Sequence, residues 1–312
     1  NVKYQHYLAR HHMSWFANAD GTNSFWSLTD GLLQEDVKLT EIGGQNNLYE
    51  SPELERNFVE KHVLNQVEND FFAARSRAMV DRAVRKSGDG QAVRRYVAAQ
   101  FVRDGYLHKR LVHLESDLLF LAKEMGLERY WAAEGLSDQG RRKRASALMA
   151  KGLIELDDVT KMLKHHVVIF VKRPQGDLLL PDRGFVQIYE ENNQIRYDGL
   201  KSPNLKVVMP IAPNAALKLI RPTKGTRFAD CVSMSDEEHS VFIHNLSLNA
   251  KSFVAGTRQA LSAVDFAEMP YFDPTAERLS MVMQIYRAGV LDEIVDDFWQ
   301  KQAQQFPKAM IR

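Results

Sequence analysis

The sequence predicts an α+β protein. It anticipates a small mixed or antiparallel sheet drawn from the amino-terminal segment and residues 177–221, with a large helical insertion and carboxy-terminal helices. Three observations carry this prediction. Apolar residues recur at helical spacing through much of residues 51–172. Short β-rich runs punctuated by Pro, Gly and Asn begin near Asp177. Two strand-like runs near the amino terminus are too few to be stable alone and must find partners later in the chain.

In chain order, residues 1–17 read as a short helix, because Tyr4, Leu8, His12 and Phe16 recur every four residues. "SFWSLT" and "DVKLTEIG" then read as strands around the turn Asp30-Gly31. Ser51-Pro52-Glu53 is a helix start, with a capping serine, a proline at the first helical position and acidic residues near the positive end of the dipole. The stripe Leu54, Phe58, Leu64, Val67, Phe71 carries that helix to about Lys86. A second helical block spans about Gln91 to Gly126, and further helix is expected across "LERYWAAEG", "GRRKRASALMAKG" and "LDDVTKMLKHHVVIFVK". From Asp177, "DLLLP", "FVQIYE", "NQIRYD", "KVVMPIA" and "AALKLIR" read as strands. Residues 234–256 return to helix behind the acidic first turn that follows Ser235, and 275–305 form a last helical block. The expected organisation is one domain over 1–257, with its insertion at 51–172, and a helical extension over 258–312.

Composition bounds the function classes. The 312 residues carry 41 basic and 40 acidic side chains, a net charge of +1, unlike the strongly basic surface of a general nucleic-acid binder. The single cysteine, Cys231, excludes a disulfide framework and multi-cysteine metal sites, and no flanking signature marks it as a nucleophile. The amino terminus has no signal-peptide pattern and the strongest apolar run is "VVIFV", so a cytoplasmic protein without a membrane partner is expected. Glycine-rich phosphate loops, the "GxSxG" elbow and the kinase set are all missing from the sequence.

Candidate chemistry lies in four places. "KYQHYLARHHMSWF" concentrates His6, His11 and His12, but no "HExxH" spacing exists for a local metal site. "GRRKR" places Arg141, Arg142, Lys143 and Arg144 in the first turn of a helix, where four positive charges oppose the dipole; the run reads either as a solvated helix start or as a site for phosphate, nucleic acid or an acidic partner surface. "LLLPDRGF" presents Asp182 and Arg183 as a polar pair leaving a buried strand, Arg183 being a further phosphate-binding candidate. His108 and His113 fall on a charged helix and read as a solvated face; of the adjacent His165 and His166, one is expected buried and one exposed.

"QHYLARHHMSWFA" resembles the opening of the bacterial DUF4238 family, typified by "HHYVPQFYLRNFA". The match aligns His6, Tyr7, Arg10, Met13 and Phe16. "VENDFF" resembles the family's first long helix and places Glu68; "LLLPDRGF" resembles a segment near "FITSDNPV" and places Asp182. "IHNLSLNAKSFVAGT" resembles the closing helix and places Asn245. The resemblance spans roughly residues 3–257 and departs at Ala9, where proline is usual, and at Pro181-Asp182-Arg183-Gly184. It supplies positions rather than an activity. Together His6, Glu68, Asp182 and Asn245 suggest a hydrolytic or nuclease-like site, with His6 as acid/base, Asp182 orienting it or holding Mg²⁺, and Arg10 facing an oxyanion or phosphate. The expected function is a cytoplasmic bacterial effector enzyme acting on a phosphate-containing substrate, a nuclease in a defence or toxin setting. The alternative is a binding or sensor protein whose polar core is structural and whose basic cluster and carboxy-terminal helices meet a protein partner or a second copy.

Overall fold

A computed structural model describes residues 4–18, 20–113, 138–189, 200, 202, 204–222 and 229–268. The chain enters through a three-residue strand, β1 (Tyr4–His6), and a short helix, α1 (Arg10–Ser14). Then come β2 (Asn23–Ser27), β3 (Leu32–Val37) and β4 (Gly44–Asn46). A π-helical turn, Glu60–Leu64, leads into α2 (Asn65–Asp81), followed by α3 (Ser87–Val102) and a helical stretch over 105–113. After α4 (Asp138–Ile154) and α5 (Leu156–Lys161) come β5 (Val167–Lys172), β6 (Leu180–Pro181), β7 (Val186–Tyr189), β8 (Leu205–Ala212), β9 (Ala215–Ile220) and β10 (Cys231–Ser233). α6 (Asp236–Asn249), β11 (Phe253–Gly256) and α7 (Arg258–Ser262) complete the described elements, with a 3-10 turn at Phe266–Glu268. These elements lie in the first of two compact units, residues 1–112 with 136–271; the second is 113–135 with 272–312.

The α+β class holds, with the described strands distributed over three sheets. β10-β5-β9-β8-β7 form one, β3-β2-β11-β6 another, and β1-β4 a two-stranded ribbon. The amino-terminal hairpin does find later partners: β2 pairs with β11, which in turn pairs with β6.

Several elements differ from the sequence expectation. The second strand of the hairpin is Leu32–Val37 and residues 38–43, expected in it, form turns instead. Residues 4–6 extend instead of coiling, because Tyr4, Gln5 and His6 pair with Asn46, Gln45 and Gly44. Val167–Lys172 form a strand, since this β-branched run lies between β10 and β9 and is half of a sheet interior. Phe253–Gly256 leave the helix for the sheet, fixed between β2 and β6. The long helix expected from Ser51 begins at the π turn and ends at Arg82, which adopts a left-handed φ of 52°. Ser235 caps α6 as expected, its Oγ accepting from the Glu238 amide at 3.2 Å while Glu238 Oε2 accepts from the Ser235 amide at 3.1 Å. The expected strand at "NQIRYD" and the blocks 114–126 and 275–305 lie outside the described residues.

The five-stranded sheet is covered on both faces, and strand alternation shows how. Phe170, Val207, Met209 and Leu217 pack with Phe71, Tyr96, Val97, Met149 and Leu153 of the helical layer. Their neighbours Val171, Val208 and Ala216 pack with Phe242, Leu246 and Phe266 on the other side. A third cluster, Leu8, Met13, Phe16, Phe25, Leu180 and Phe253, joins α1 to the four-stranded sheet. Each large side chain fully buried in these layers contributes about 1.5–3 kcal/mol. No helix among the described residues is long and apolar enough to cross a membrane.

Candidate functional site

His6 ends β1. Its ring packs edge-on to Tyr4 at 5.1 Å and reaches the Leu39 backbone, while Nε2 is buried with no hydrogen-bond partner. Burial first, and then the positive charge of exposed Arg10, push the imidazole down to about 4, so it is neutral at pH 7.

Beyond it stands Arg103, fully buried just after α3. Nη1 lies 2.6 Å from Glu68 Oε1 on α2, Nε bonds Gln100 Oε1, and Nη2 has no hydrogen-bond partner. Burial alone would lower the guanidinium's proton affinity; the Glu68 carboxylate, with Tyr96 and Tyr49, more than offsets this and keeps it charged. Glu60, on the π turn, feels the same guanidinium. Its half-buried carboxyl is pushed up to about 7 by burial, with Glu68 and Glu50 adding to the rise against the pull of Arg103. His12 is separate: Nδ1 lies 3.1 Å from Tyr96 Oη and Nε2 lies 2.7 Å from Pro210 O, a buried tie between α1, α3 and β8.

Asp182 belongs to a second polar knot. It follows β6 in a turn closed by the Gly184 amide on Pro181 O at 2.8 Å, with Gly184 at φ 79°. Its carboxylate is 3% exposed and accepts from the backbone amides of Lys251 at 3.1 Å and Ser252 at 2.7 Å. Burial, and then neighbouring Asp104, raise it to about 6, against those two donors. Asp104 in turn pairs with Arg183, whose Nε lies 3.0 Å away but angled off a hydrogen bond. The groups weighing most on His6 are Arg10, Arg103 and Glu68, whereas Asp182 answers to Asp104 and Lys251. Tyr7, adjacent to His6, is the residue that senses both Asp182 and Asp104.

Asn245 turns to its own helix, donating to Val241 O at 2.8 Å. The asparagine that faces inward is Asn249, one turn on. Its Oδ1 accepts from the Gln187 amide at 2.9 Å and its Nδ2 donates to Gln187 O at 3.1 Å, holding α6 on β7.

A cavity of about 570 Å³ opens on a third set of residues. Gln139, Arg142, Lys143 and Ser146 line it from α4, at the spacing that puts them on one helix face. Arg56 and Glu50 contribute from the segment between β4 and the π turn, and Gln45, Asn46 and Asn47 from β4 and its end. Half of the basic cluster therefore points here; Arg141 and Arg144 make other interactions. His108, read from sequence as solvated, is 3% exposed and central. Gln45 Nε2 lies 3.1 Å from its Nδ1, and Ser146 Oγ lies 3.1 Å from its Nε2. Ser146 Oγ also donates to Asn47 O at 2.9 Å. Burial, above all, lowers the proton affinity of His108 and keeps the ring neutral.

Glu60, Arg103, Ser146 and Asn249 are not singled out by the sequence, and His108 stands out there only as part of a solvated face. Only Ser146 carried a local signal, standing one helical turn after Arg142 in "RRKRASA". Among the described residues no group of three or more His, Cys, Asp or Glu side chains is arranged to hold a metal ion. Compared with protein-family models, curated proteins and solved structures, the chain shows no significant match to any.

Proposed function

We propose that this protein is a hydrolase acting on a phosphate-containing substrate, whose anionic group enters the cavity beside α4. One observation carries the reading: Arg142 and Lys143, from a chain of net charge +1, converge with Arg56 on a single cavity of about 570 Å³. That volume suits a small ligand or one nucleotide-sized group. Guanidinium and ammonium groups are the side chains that bind phosphate oxygens, and the side-chain amides of Asn46 and Asn47 add orienting donors. The resemblance to the DUF4238 family, and a nuclease role in defence or toxicity, belong to this proposal.

The test compares wild type with Arg142→Ala and Lys143→Ala. Binding of inorganic phosphate is measured by calorimetry, and hydrolysis of p-nitrophenyl phosphate, its bis ester, RNA and DNA is followed with and without Mg²⁺. Binding and turnover that fall together in both variants support the reading. A wild-type protein that neither binds phosphate nor cleaves any of these substrates sinks it.

A second reading, a non-enzymatic binding protein, is favoured by Asp182. Its carboxylate is sealed and engaged by two backbone amides, as a structural network requires. Phosphate binding without turnover would select this reading.

A further inference from the structure

We propose that Ser146 is the nucleophile of this cavity, with His108 as its base and Gln45 holding the imidazole. The inference rests on the hydrolase reading above and names the machinery of the same site.

The geometry is that of a nucleophile, a base and an orienting group. Oγ lies 3.1 Å from one imidazole nitrogen of His108, and the Gln45 amide lies 3.1 Å from the other. Amide oxygen and nitrogen are interchangeable by a half-turn of the Gln45 side chain. With Oε1 on Nδ1, that nitrogen carries the hydrogen, and Nε2 becomes the acceptor for the Ser146 hydroxyl. With Nε2 of Gln45 on Nδ1, the chain runs the other way: His108 donates to Ser146, whose hydroxyl rests on Asn47 O at 2.9 Å. The two arrangements differ by one amide rotation and a tautomer exchange, giving a resting and an active state of one network.

The surroundings match the chemistry. Burial keeps His108 neutral, the form a base requires. Arg142 stands one helical turn before Ser146, and it and Lys143 line the cavity where charge on phosphoryl oxygens would grow. Cys231 is half-buried and lines no part of this cavity, while Ser51, which does line it, has its Oγ accepting from the Glu53 amide.

In the reaction, Ser146 Oγ attacks the phosphorus of a phosphate monoester as its proton passes to His108 Nε2. The ester P–O bond breaks, and the departing alkoxide takes that proton as the alcohol. A water molecule then gives a proton to Nε2 and attacks phosphorus. The bond to Oγ breaks, the proton returns to Ser146, and inorganic phosphate leaves.

A fluorophosphonate tests this step directly, since Oγ attack forms a P–O bond, breaks P–F and releases fluoride with the serine proton. Intact mass and peptide mapping should find one label per chain, on Ser146, with none on Ser146→Ala. His108→Asn should slow labelling by about 100-fold or more, the range of lost general-base catalysis. Gln45→Leu should slow it while Gln45→Glu retains it, and the wild-type rate should rise with pH as the imidazole loses its proton. A folded wild-type protein that takes no label on Ser146, or a His108→Asn variant that labels at the wild-type rate, overturns the assignment. Phosphate calorimetry on the same samples separates the two claims. Binding without labelling removes only the nucleophile, whereas labelling without phosphate binding removes the anionic substrate.

Discussion

Arg142 and Ser146 face one cavity from a single side of α4, one helical turn apart. This pairing turns a basic run, ambiguous as sequence, into a directed feature. Arg142→Ala should weaken inorganic phosphate binding by about tenfold, the scale of one charge-assisted contact. Arg141→Ala and Arg144→Ala, whose side chains do not line the cavity, should leave it within about twofold. Calorimetry at low and at physiological salt checks both, with the Arg142 effect larger at low salt.

Glu68 is expected to matter for stability. Its carboxylate is the ion-pair partner of the fully buried Arg103. Glu68→Ala leaves that guanidinium unpaired in the core and should destabilise the fold by about 3–5 kcal/mol in urea unfolding. A loss below about 1 kcal/mol would mean that Arg103 finds another partner or water.

Glu60 gives the fold a pH signature. Its folded value of about 7 stands above the ordinary 4.5, so the folded state holds a proton that the unfolded chain releases. Glu60 therefore favours folding below pH 4.5 relative to high pH, and this contribution is lost as pH rises from about 4.5 through 7. Glu60→Gln should raise stability at pH 8 relative to wild type by roughly 2 kcal/mol, with little gain at pH 4.5. His6 acts oppositely. Lowered from 6.5 to about 4, it adds stability above pH 6.5 that is lost on acidification toward 4. Unfolding curves of wild type, Glu60→Gln and His6→Ala across pH 4–8 separate the two.

Two asparagines on one helix should behave differently. Asn249→Ala strands the buried Gln187 amide and should cost about 1–3 kcal/mol. Asn245→Ala removes a bond to its own helix's Val241 carbonyl and should cost less than about 1 kcal/mol. Thermal melts rank them, and the reverse order would contradict the packing of α6 on β7.

The legible parts of this chain were those with local causes. The Ser235 capping box, the helical stripe Val67–Phe71, and β2 with the turn at Asp30-Gly31 announce themselves within a few residues, although the returning strand lies at Leu32–Val37 rather than 36–43. So did the split at His165 and His166, one exposed and the other buried. β5 and β11 look helical in sequence because their strand identity comes from partners 43 or more residues away along other strands. The cavity was invisible for the same reason. Gln45, His108 and Ser146 are separated by 63 and 38 residues, and no periodicity joins them. Asn245 and Asn249 share a helix face, so sequence alone could not choose which of them meets β7.

The π turn at Glu60–Leu64 makes the placement of one acid depend on residue count. A π turn accommodates an extra residue in a helix, and each α-helical residue rotates the chain by about 100°. Removing one residue between Glu60 and α2 would let the turn relax to an α-helix and rotate Glu60 relative to Arg103. Loss of exposed Lys61 or His62 would therefore disturb this corner although neither side chain packs in the core, so a deletion scan would register positions that an alanine scan passes over.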